Sequence, residues 1–312
     1  MPDNWPKISV ITPSFNQGEY IETTIRSVLS QEYPNVEYIV IDGGSTDGTR
    51  DIIRKYESRV SYWISERDRG QTHAINKGLE VATGEILAYL NSDDYYLPGA
   101  LSHVAQYARE HPEVDLIHGR CRKVDAAGRN IGSHFASISE YREIVDLWNV
   151  WWKQRQFVQP EVFWTRRIAN QIGPFREELQ FVMDYDYWAR ILRAGGQVGR
   201  IDAELSCFRF QPAQKSGRSA ESSQELLQVV KPLIWEQGGP LGWRQRLRLQ
   251  GAWHFDATFR QAAAASIQQG ESRTRRWCKL GRLTLSRPQL FAARAFRTHL
   301  VGNALRMVGA RT

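Results

Sequence analysis

Over residues 8–118, short β-rich apolar runs alternate with stretches of helical period, and that alternation leaves the chain few folds to choose from. Ile8-Ser9-Val10-Ile11-Thr12 reads as a strand ended by Pro13. Ile21, Ile25, Val28 and Leu29 follow at i, i+4, i+7 and i+8, one face of a helix. Residues 36–41 read as a second strand, stopped by Asp42-Gly43-Gly44-Ser45, and residues 49–56 as a helix capped by Thr46 or Asp47. Residues 60–65 and 86–90 are further strands, with a helix over 74–82 between them. Pro98 sets the first turn of another helix, and Asp115-Leu116-Ile117-His118 restarts a strand. Strands spaced by helices predict βαβ units, hence an α/β fold on a mostly parallel sheet flanked by helices. Ligands of such sheets sit beyond the carboxyl ends of the strands.

What stands at those ends is polar and acidic. The first strand runs into Thr12-Pro13-Ser14-Phe15-Asn16 and the second into Asp42-Gly43-Gly44-Ser45-Thr46-Asp47-Gly48. The third is followed by Glu66-Arg67-Asp68-Arg69-Gly70-Gln71, the fourth by Asn91-Ser92-Asp93-Asp94. A dinucleotide site would carry G-x-G-x-x-G after its first strand, and a Walker loop a Gly-Lys-Ser/Thr; neither is there. An acidic cradle does not hold a diphosphate unaided. A divalent cation, Mn²⁺ or Mg²⁺, resolves the conflict by taking hard oxygen ligands and bridging phosphate oxygens.

These blocks resemble glycosyltransferase family 2. The likeness is carried by residues 9–16, by Ile41-Asp42-Gly43-Gly44-Ser45-Thr46-Asp47-Gly48-Thr49, and by Asp68-Arg69-Gly70-Gln71-Thr72-His73-Ala74-Ile75-Asn76-Lys77-Gly78. Leu90-Asn91-Ser92-Asp93-Asp94, Gln159-Pro160 and Met183-Asp184-Tyr185-Asp186-Tyr187-Trp188 complete it, in the family's order from about residue 7 to about 216. The resemblance implies a GT-A fold and an inverting transfer of sugar from a nucleotide-sugar donor, a UDP-sugar first. The acceptor would be a hydroxyl of a saccharide or lipid-linked substrate, in cell-surface polysaccharide synthesis.

It also implies roles, each with a plainer alternative. Asp42 would hydrogen-bond the nucleobase, or simply open the Gly43-Gly44 turn. Thr12 and Pro13 would line base and ribose through backbone groups, and Asp68 would sit near ribose or diphosphate. Lys77 would reach a phosphate or be a solvated helix residue. Asn91-Ser92-Asp93-Asp94 stands where the family has Asp-X-Asp, with Asn91 and Ser92 beside the donor. Asp93 would be the principal metal ligand and Asp94 its support, or the pair would cap a helix ahead of Pro98. Asp184 matches the carboxylate that takes the acceptor proton, or is an N-cap; Asp186 reads as structural. Two departures stand out. Gln211 occupies a place where relatives often have histidine, and His73 one where many have an acid.

The rest is less specific. Trp148, Trp151, Trp152, Phe157, Phe163 and Trp164 stack on sugars or pack a core. From Lys231 onward fifteen basic residues face three acidic ones, +12 in a chain of +7, so residues 1–230 carry −5. Residues 1–220 thus read as the GT-A region, donor half about 1–118 and acceptor half about 119–220, and 221–312 as a basic helical extension. Helical patterns at 262–265 and 291–308, with Trp243, Trp253, Trp277 and Phe296 among the arginines, suit an anionic membrane surface. With 42% apolar and 24% charged residues and no long apolar run, a globular protein is expected. Residues 1–7 do not read as a signal peptide and the three cysteines form no pattern, so the expectation is cytoplasmic, peripheral at the inner membrane face. The competing readings are a sugar nucleotidyltransferase and a non-catalytic basic protein bound to membrane or nucleic acid. No nucleic-acid-reading motif is present, and no nucleic-acid partner is expected.

Overall fold

The computed structural model describes residues 5–147, 149–211, 214–215, 219–237, 239–260, 270 and 272–286. Contacts divide the chain into two compact units, one of residues 1–140 with 155–219, the other of 141–154 with 220–312.

In the first unit the chain runs β1 (Ile8–Ser14), α1 (Ile21–Leu29), β2 (Val36–Asp42), α2 (Thr49–Lys55), β3 (Tyr62–Ser65), α3 (Gln71–Val81) and β4 (Ile86–Tyr89). β1 pairs in parallel with β2 and β4, and β2 with β3, so the spatial order is β3-β2-β1-β4. β1, β2 and β4 are buried on both faces, as parallel strands between helices must be, while β3 is a partly exposed edge. Ile8, Val10, Val40, Ile86 and Ala88 turn to one side, in a core shared with Ile21, Ile25 and Val28 of α1. On the other side Gly78 lets α3 close on β1: a Cβ there would come within 2.4 Å of Ile11.

Beyond β4 the sheet is mixed rather than mostly parallel. β5 (Tyr95–Tyr96), α4 (Ala100–Glu110), β6 (Leu116–Val124) and β7 (Asn130–Phe135) are followed, after the second unit's excursion, by β8 (Val162–Thr165). β8 runs antiparallel to both β4 and β6; β7 returns antiparallel on β6 as a hairpin. After α6 (Arg166–Ile172) and α7 (Met183–Arg193), numbered past the short α5 (Tyr141–Ile144) of the second unit, β9 (Val198–Arg209) lies parallel to β6 and antiparallel to β5. Several expected boundaries move: β1 runs on through Pro13 to Ser14, and α3 begins at Gln71 rather than 74. β3 begins at Tyr62 rather than 60, and the N-cap of α2 is Gly48, not Thr46 or Asp47. Asp47 instead accepts from Thr49 N at 3.0 Å and Gly18 N at 2.9 Å, binding two loops together.

The second unit is helical where described: α5, a 3₁₀ turn Trp151–Lys153, α8 (Ser219–Trp235), α9 (Trp243–His254), a π-turn Phe255–Arg260 and α10 (Arg273–Leu285). Tyr141 Oη donates to Leu233 O at 3.1 Å and Arg248 pairs with Asp146 at 3.0 Å, so residues 141–154 group with the tail. Trp253 Nε1 donates to Leu227 O at 2.8 Å and its ring meets Trp235 edge-on. The patterns at 262–265 and 291–308, and Trp148, lie outside the described residues. Phe157, Phe163 and Trp164 are buried core of the first unit. Among the described residues no helix is long and apolar enough to cross a membrane.

Candidate active site

After β3 the chain crosses back to the far side of β1, so strand order reverses between β1 and β4. An open α/β sheet takes its ligand at such a point, beyond the carboxyl ends of the strands. Register puts Ser14 beside Asp42 and Asp42 beside Ser65, so three strand ends form one rim.

Asp42 is fully buried and its oxygens are engaged. Oδ2 accepts from Ser45 N at 2.9 Å, Gly44 N at 3.2 Å and Ser65 Oγ, and Oδ1 from Ser45 Oγ. It builds the loop that shapes the rim. Thr12 is buried too, its hydroxyl accepting from Tyr38 Oη at 3.1 Å, and Pro13 is buried beside it. Phe15, which the motif reading passed over, is 58% exposed at the rim. Asn16 secures it by accepting from Thr46 N at 2.9 Å and donating its own N–H to Ser45 Oγ at 2.8 Å.

Asp68 accepts from Gly70 N at 2.8 Å and lies against Gly43, where a Cβ would come within 2.6 Å of Oδ2. A side chain at position 43 would push that carboxylate aside, so Gly43 leaves Asp68 its place. Lys77 forms an ion pair with Glu66 in the same loop. Asn91 Oδ1 accepts from Gln71 Nε2 at 2.7 Å, and Gln71 Oε1 accepts from Lys215 Nζ at 3.2 Å. Thr24 of α1 pins the turn, donating to Ser92 O and Asp94 O. Ser92 is buried within it.

The two aspartates of this turn differ. Asp93 is half-buried and accepts from Gln211 Nε2 at 3.2 Å. Burial raises its carboxyl above the usual range, opposed by Gln211 and Arg209. Asp94 is 1% exposed and turned inward: Oδ1 accepts from Arg209 N at 2.8 Å, while Oδ2 is buried without a partner. Burial pushes its pKa well up, and the Asp93 charge adds to this. Arg209, also missed in the sequence, lies behind both. Its guanidinium donates to Asp93 O and Ala126 O at 2.9 Å each, close to the rings of Tyr20 and Tyr95. An alternating strand such as β9 gave no hint of this duty.

Asp184 lies in the first turn of α7; the N-cap is Val182, not Asp184. Its Oδ1 accepts from Tyr185 N at 2.7 Å. Tyr89, buried at the end of β4, is held far above its ordinary pKa by burial, then by the charges of Asp184 and Asp94. Carboxylates from α7 and from the Asn91–Asp94 turn thus both act electrostatically on Tyr89. Asp186 is buried between Arg176 at 3.1 Å and Arg190 at 2.8 Å. His73 Nδ1 accepts from Arg69 N at 3.2 Å. Glu161, two residues after Gln159, is another buried carboxyl pushed well up by burial, with Oε1 on Val158 N at 3.0 Å and Oε2 unpartnered.

Asp93 and the orphaned Asp94 oxygen suit a divalent cation: two desolvated, adjacent carboxyls share one guanidinium, Arg209, whose charge does not outweigh their burial. Among the described residues no group of three or more His, Cys, Asp or Glu side chains is placed to hold a metal. A two-carboxylate site fits a Mg²⁺-like ion that takes its other ligands from water and phosphate.

Sequence and structure comparisons point the same way. The model of the family described as Glycosyl transferase family 2 matches residues 9–175. The "Putative teichuronic acid biosynthesis glycosyltransferase TuaG" of Bacillus subtilis is 44% identical over 111 residues, 34% of this chain and 44% of that protein. The GalNAc(5)-diNAcBac-PP-undecaprenol β-1,3-glucosyltransferase of Campylobacter jejuni is 37% identical over 109 residues, 34% of this chain and 35% of that one. The chain thus spans less than half the length of these two curated relatives. S. aureus TarS 1–349 in complex with UDP-GlcNAc superposes with a TM-score of 0.62 at 17% identity, covering 86% of this chain and 93% of that one. The mannosyltransferase PcManGT of Pyrobaculum calidifontis, in complex with GDP-Man and Mn²⁺, gives 0.61 at 20% identity, covering 100% and 89%. The sheet is that of the GT-A fold, and the chain belongs to glycosyltransferase family 2.

Proposed function

We propose that this protein transfers a sugar from a nucleotide-sugar donor, a UDP-sugar first, to a hydroxyl of a saccharide or lipid-linked acceptor. The transfer inverts the anomeric carbon and serves cell-surface polysaccharide synthesis. The observation that supports this reading is that the charges of Asp184 and Asp94 both act on Tyr89, whose ring meets Phe175 as Phe175 stacks on Tyr187 of α7. One carboxylate suits a proton acceptor and the other pair a cation. The names of the relatives support it: one specifies a PP-undecaprenol-linked glycan, and the structural neighbours hold UDP-GlcNAc or GDP-Man with Mn²⁺.

In this mechanism the base stacks on Phe15 above the floor of Thr12 and Pro13, with Asp42 shaping the loop and Asp68 toward the ribose. Lys77 acts through Glu66 on the donor loop, and Asn91 and Ser92 frame the turn. Asp93, backed by Asp94, would hold Mn²⁺ or Mg²⁺, which supplies charge neutralisation to the departing diphosphate. Asp184 sits where the helix dipole favours negative charge. It takes the acceptor hydroxyl proton as that oxygen bonds to the anomeric carbon and the bond to the diphosphate breaks. A screen of uridine-, deoxythymidine- and guanosine-linked sugars with Mn²⁺, read as nucleotide release, tests the reading. Asp184→Asn should bind donor normally and lose transfer by about 10²-fold or more. Parent-rate transfer by that variant would remove Asp184 from the mechanism. Pyrophosphate release from a sugar phosphate and a nucleoside triphosphate would favour the nucleotidyltransferase.

The second unit, in this reading, meets anionic lipid on the cytoplasmic face. On α9, Trp243 is 70% and Leu247 44% exposed, one turn apart, with Arg244 and Arg248 exposed beside them. Aromatic and aliphatic side chains among arginines suit the headgroup boundary. Full-length protein should co-sediment with phosphatidylglycerol vesicles but not phosphatidylcholine vesicles, and Leu247→Glu should weaken this several-fold. Equal retention on both vesicles would overturn the attachment.

A further inference from the structure

The loop that presents Asp68 and the segment that leads into Asp184 are joined by side chains that the mechanism above leaves unused. Asn76, buried on α3, holds Phe175 from both sides: Nδ2 donates to Phe175 O and Oδ1 accepts from Phe175 N, each at 2.9 Å. One turn earlier, Thr72 Oγ1 donates to Leu179 O at 3.2 Å. At the loop itself Arg69, next to Asp68, donates from Nε at 3.0 Å and Nη2 at 2.7 Å to Glu177 Oε2. Glu177 is held below its ordinary pKa: burial opposes this but is outweighed by Arg69 and Asn76.

The same segment is fastened to α7 on its other side. The Phe175 ring lies flat on Tyr187, centroids 3.8 Å apart at 4°, one turn beyond Asp184. Arg176 pairs with Asp186, and Arg190 donates to Ile172 O at 2.7 Å and Pro174 O at 2.8 Å. Phe175 also meets Tyr89 edge-on, on the strand that runs into Asn91-Ser92-Asp93-Asp94.

We infer that the Arg69–Glu177 pair is a positioning latch: with Asn76 as its fixed hinge, it ties the donor loop at Asp68 to residues 173–182 and so sets the distance from donor to Asp184. This rests on the assignment of Asp184 as base. As a positioning pair it acts on alignment rather than on the reacting atoms, so its effect falls on the chemical step. Misplacement of a catalytic group by a fraction of an ångström costs on the order of tenfold in rate.

The ion pair is the test site, because removing Asn76 leaves two buried backbone groups unpaired. In the full-length protein Arg69→Glu and Glu177→Arg should each lower kcat about tenfold with donor KM changed less than about twofold. The double swap, which rebuilds the pair in reverse, should return kcat to within about threefold of the parent. Amide hydrogen exchange over residues 175–182 should quicken in each single variant and slow again in the double. Singles that keep the parent kcat and exchange rate would overturn the latch. So would a rise in donor KM that the double swap does not rescue, since that assigns Arg69 to the donor directly. Exchange is read without turnover, so it decides the latch even if no nucleotide sugar is consumed and the functional reading fails.

Discussion

At the amino ends of β1, β2 and β4, Glu37 is buried among four donated hydrogen bonds. Lys7 Nζ lies at 2.8 Å, Ser9 Oγ at 2.6 Å, and the N–H and hydroxyl of Thr83 at 2.6 and 2.7 Å. At the carboxyl end of the same strands Asp94 is buried still more deeply; its Oδ1 accepts a backbone N–H and its Oδ2 has no hydrogen-bond partner. Burial acts upward on both. Around Glu37 the donors win and hold it at about 2; around Asp94 burial wins, with Asp93 adding to it. A carboxylate that exists to close a sheet is satisfied by its own chain. One left desolvated beside a second carboxylate is waiting for something from outside.

The largest expected difference between the two ends is in activity. Asp93→Asn should cut transfer by about 10²-fold or more and raise the Mn²⁺ concentration needed for half-maximal rate, since the ion stabilises the leaving group. Glu37→Gln should leave the rate per folded molecule within about twofold of the parent, because it lies at the far end of the strands. Comparable losses from both, measured at equal folded fraction, would erase the distinction.

Stability should separate them in the opposite sense. Glu37→Gln removes the charge that four donors converge on, at a cost of about 2 kcal/mol. Asp94→Asn in metal-free buffer removes a desolvated charge yet keeps an oxygen for Arg209 N, so the melting temperature should hold or rise. The acid limb carries the same signature. Glu37 has a folded pKa of about 2 against an ordinary 4.5. Its contribution is therefore present above the unfolded value and lost as pH falls from about 5 toward 2. Urea midpoints across that window should fall less steeply in Glu37→Gln than in the parent. Parallel curves would show that other carboxylates carry the acid limb.

The two ends were not equally legible in the sequence. The parallel half could be read because apolar runs buried on both faces end at glycine and aspartate, and the carboxyl-end rule then pointed to the rim. Lys7, Ser9 and Thr83 gave no signal, since only the register of β1 on β2 and β4 brings them to Glu37. At the other end the residue types were legible and their orientations were not. Asp94 turns inward because Arg209 N meets it from 115 residues away, and Asp42 is consumed by Ser45 and Ser65. The antiparallel strands escaped notice for a plainer reason: β5 has two residues and β8 four, too short for any period to emerge. The hairpin strand β7 leaves four successive residues exposed and so shows no alternation.

The smallest effect sharpens the comparison most, because it asks whether Glu37 depends on charge pairing or on hydrogen bonding. Lys7 is the one cation among these four donated hydrogen bonds, yet its side chain is 38% exposed, where water screens an ion pair. Removing it as Lys7→Met should therefore cost only a few tenths of a kcal/mol, up to about 1. Ser9→Ala should cost more, since Ser9 is fully buried, and its hydroxyl both donates to Glu37 and accepts from Gly84 N at 2.7 Å. That order, Ser9 above Lys7, makes the amino-end cluster a hydrogen-bonded device that carries a charge, not a salt bridge that carries hydrogen bonds. The reverse order in urea melts would mean that charge compensation settles the amino end as well. The open carboxylates at the rim would then differ from it only in the absence of a lysine.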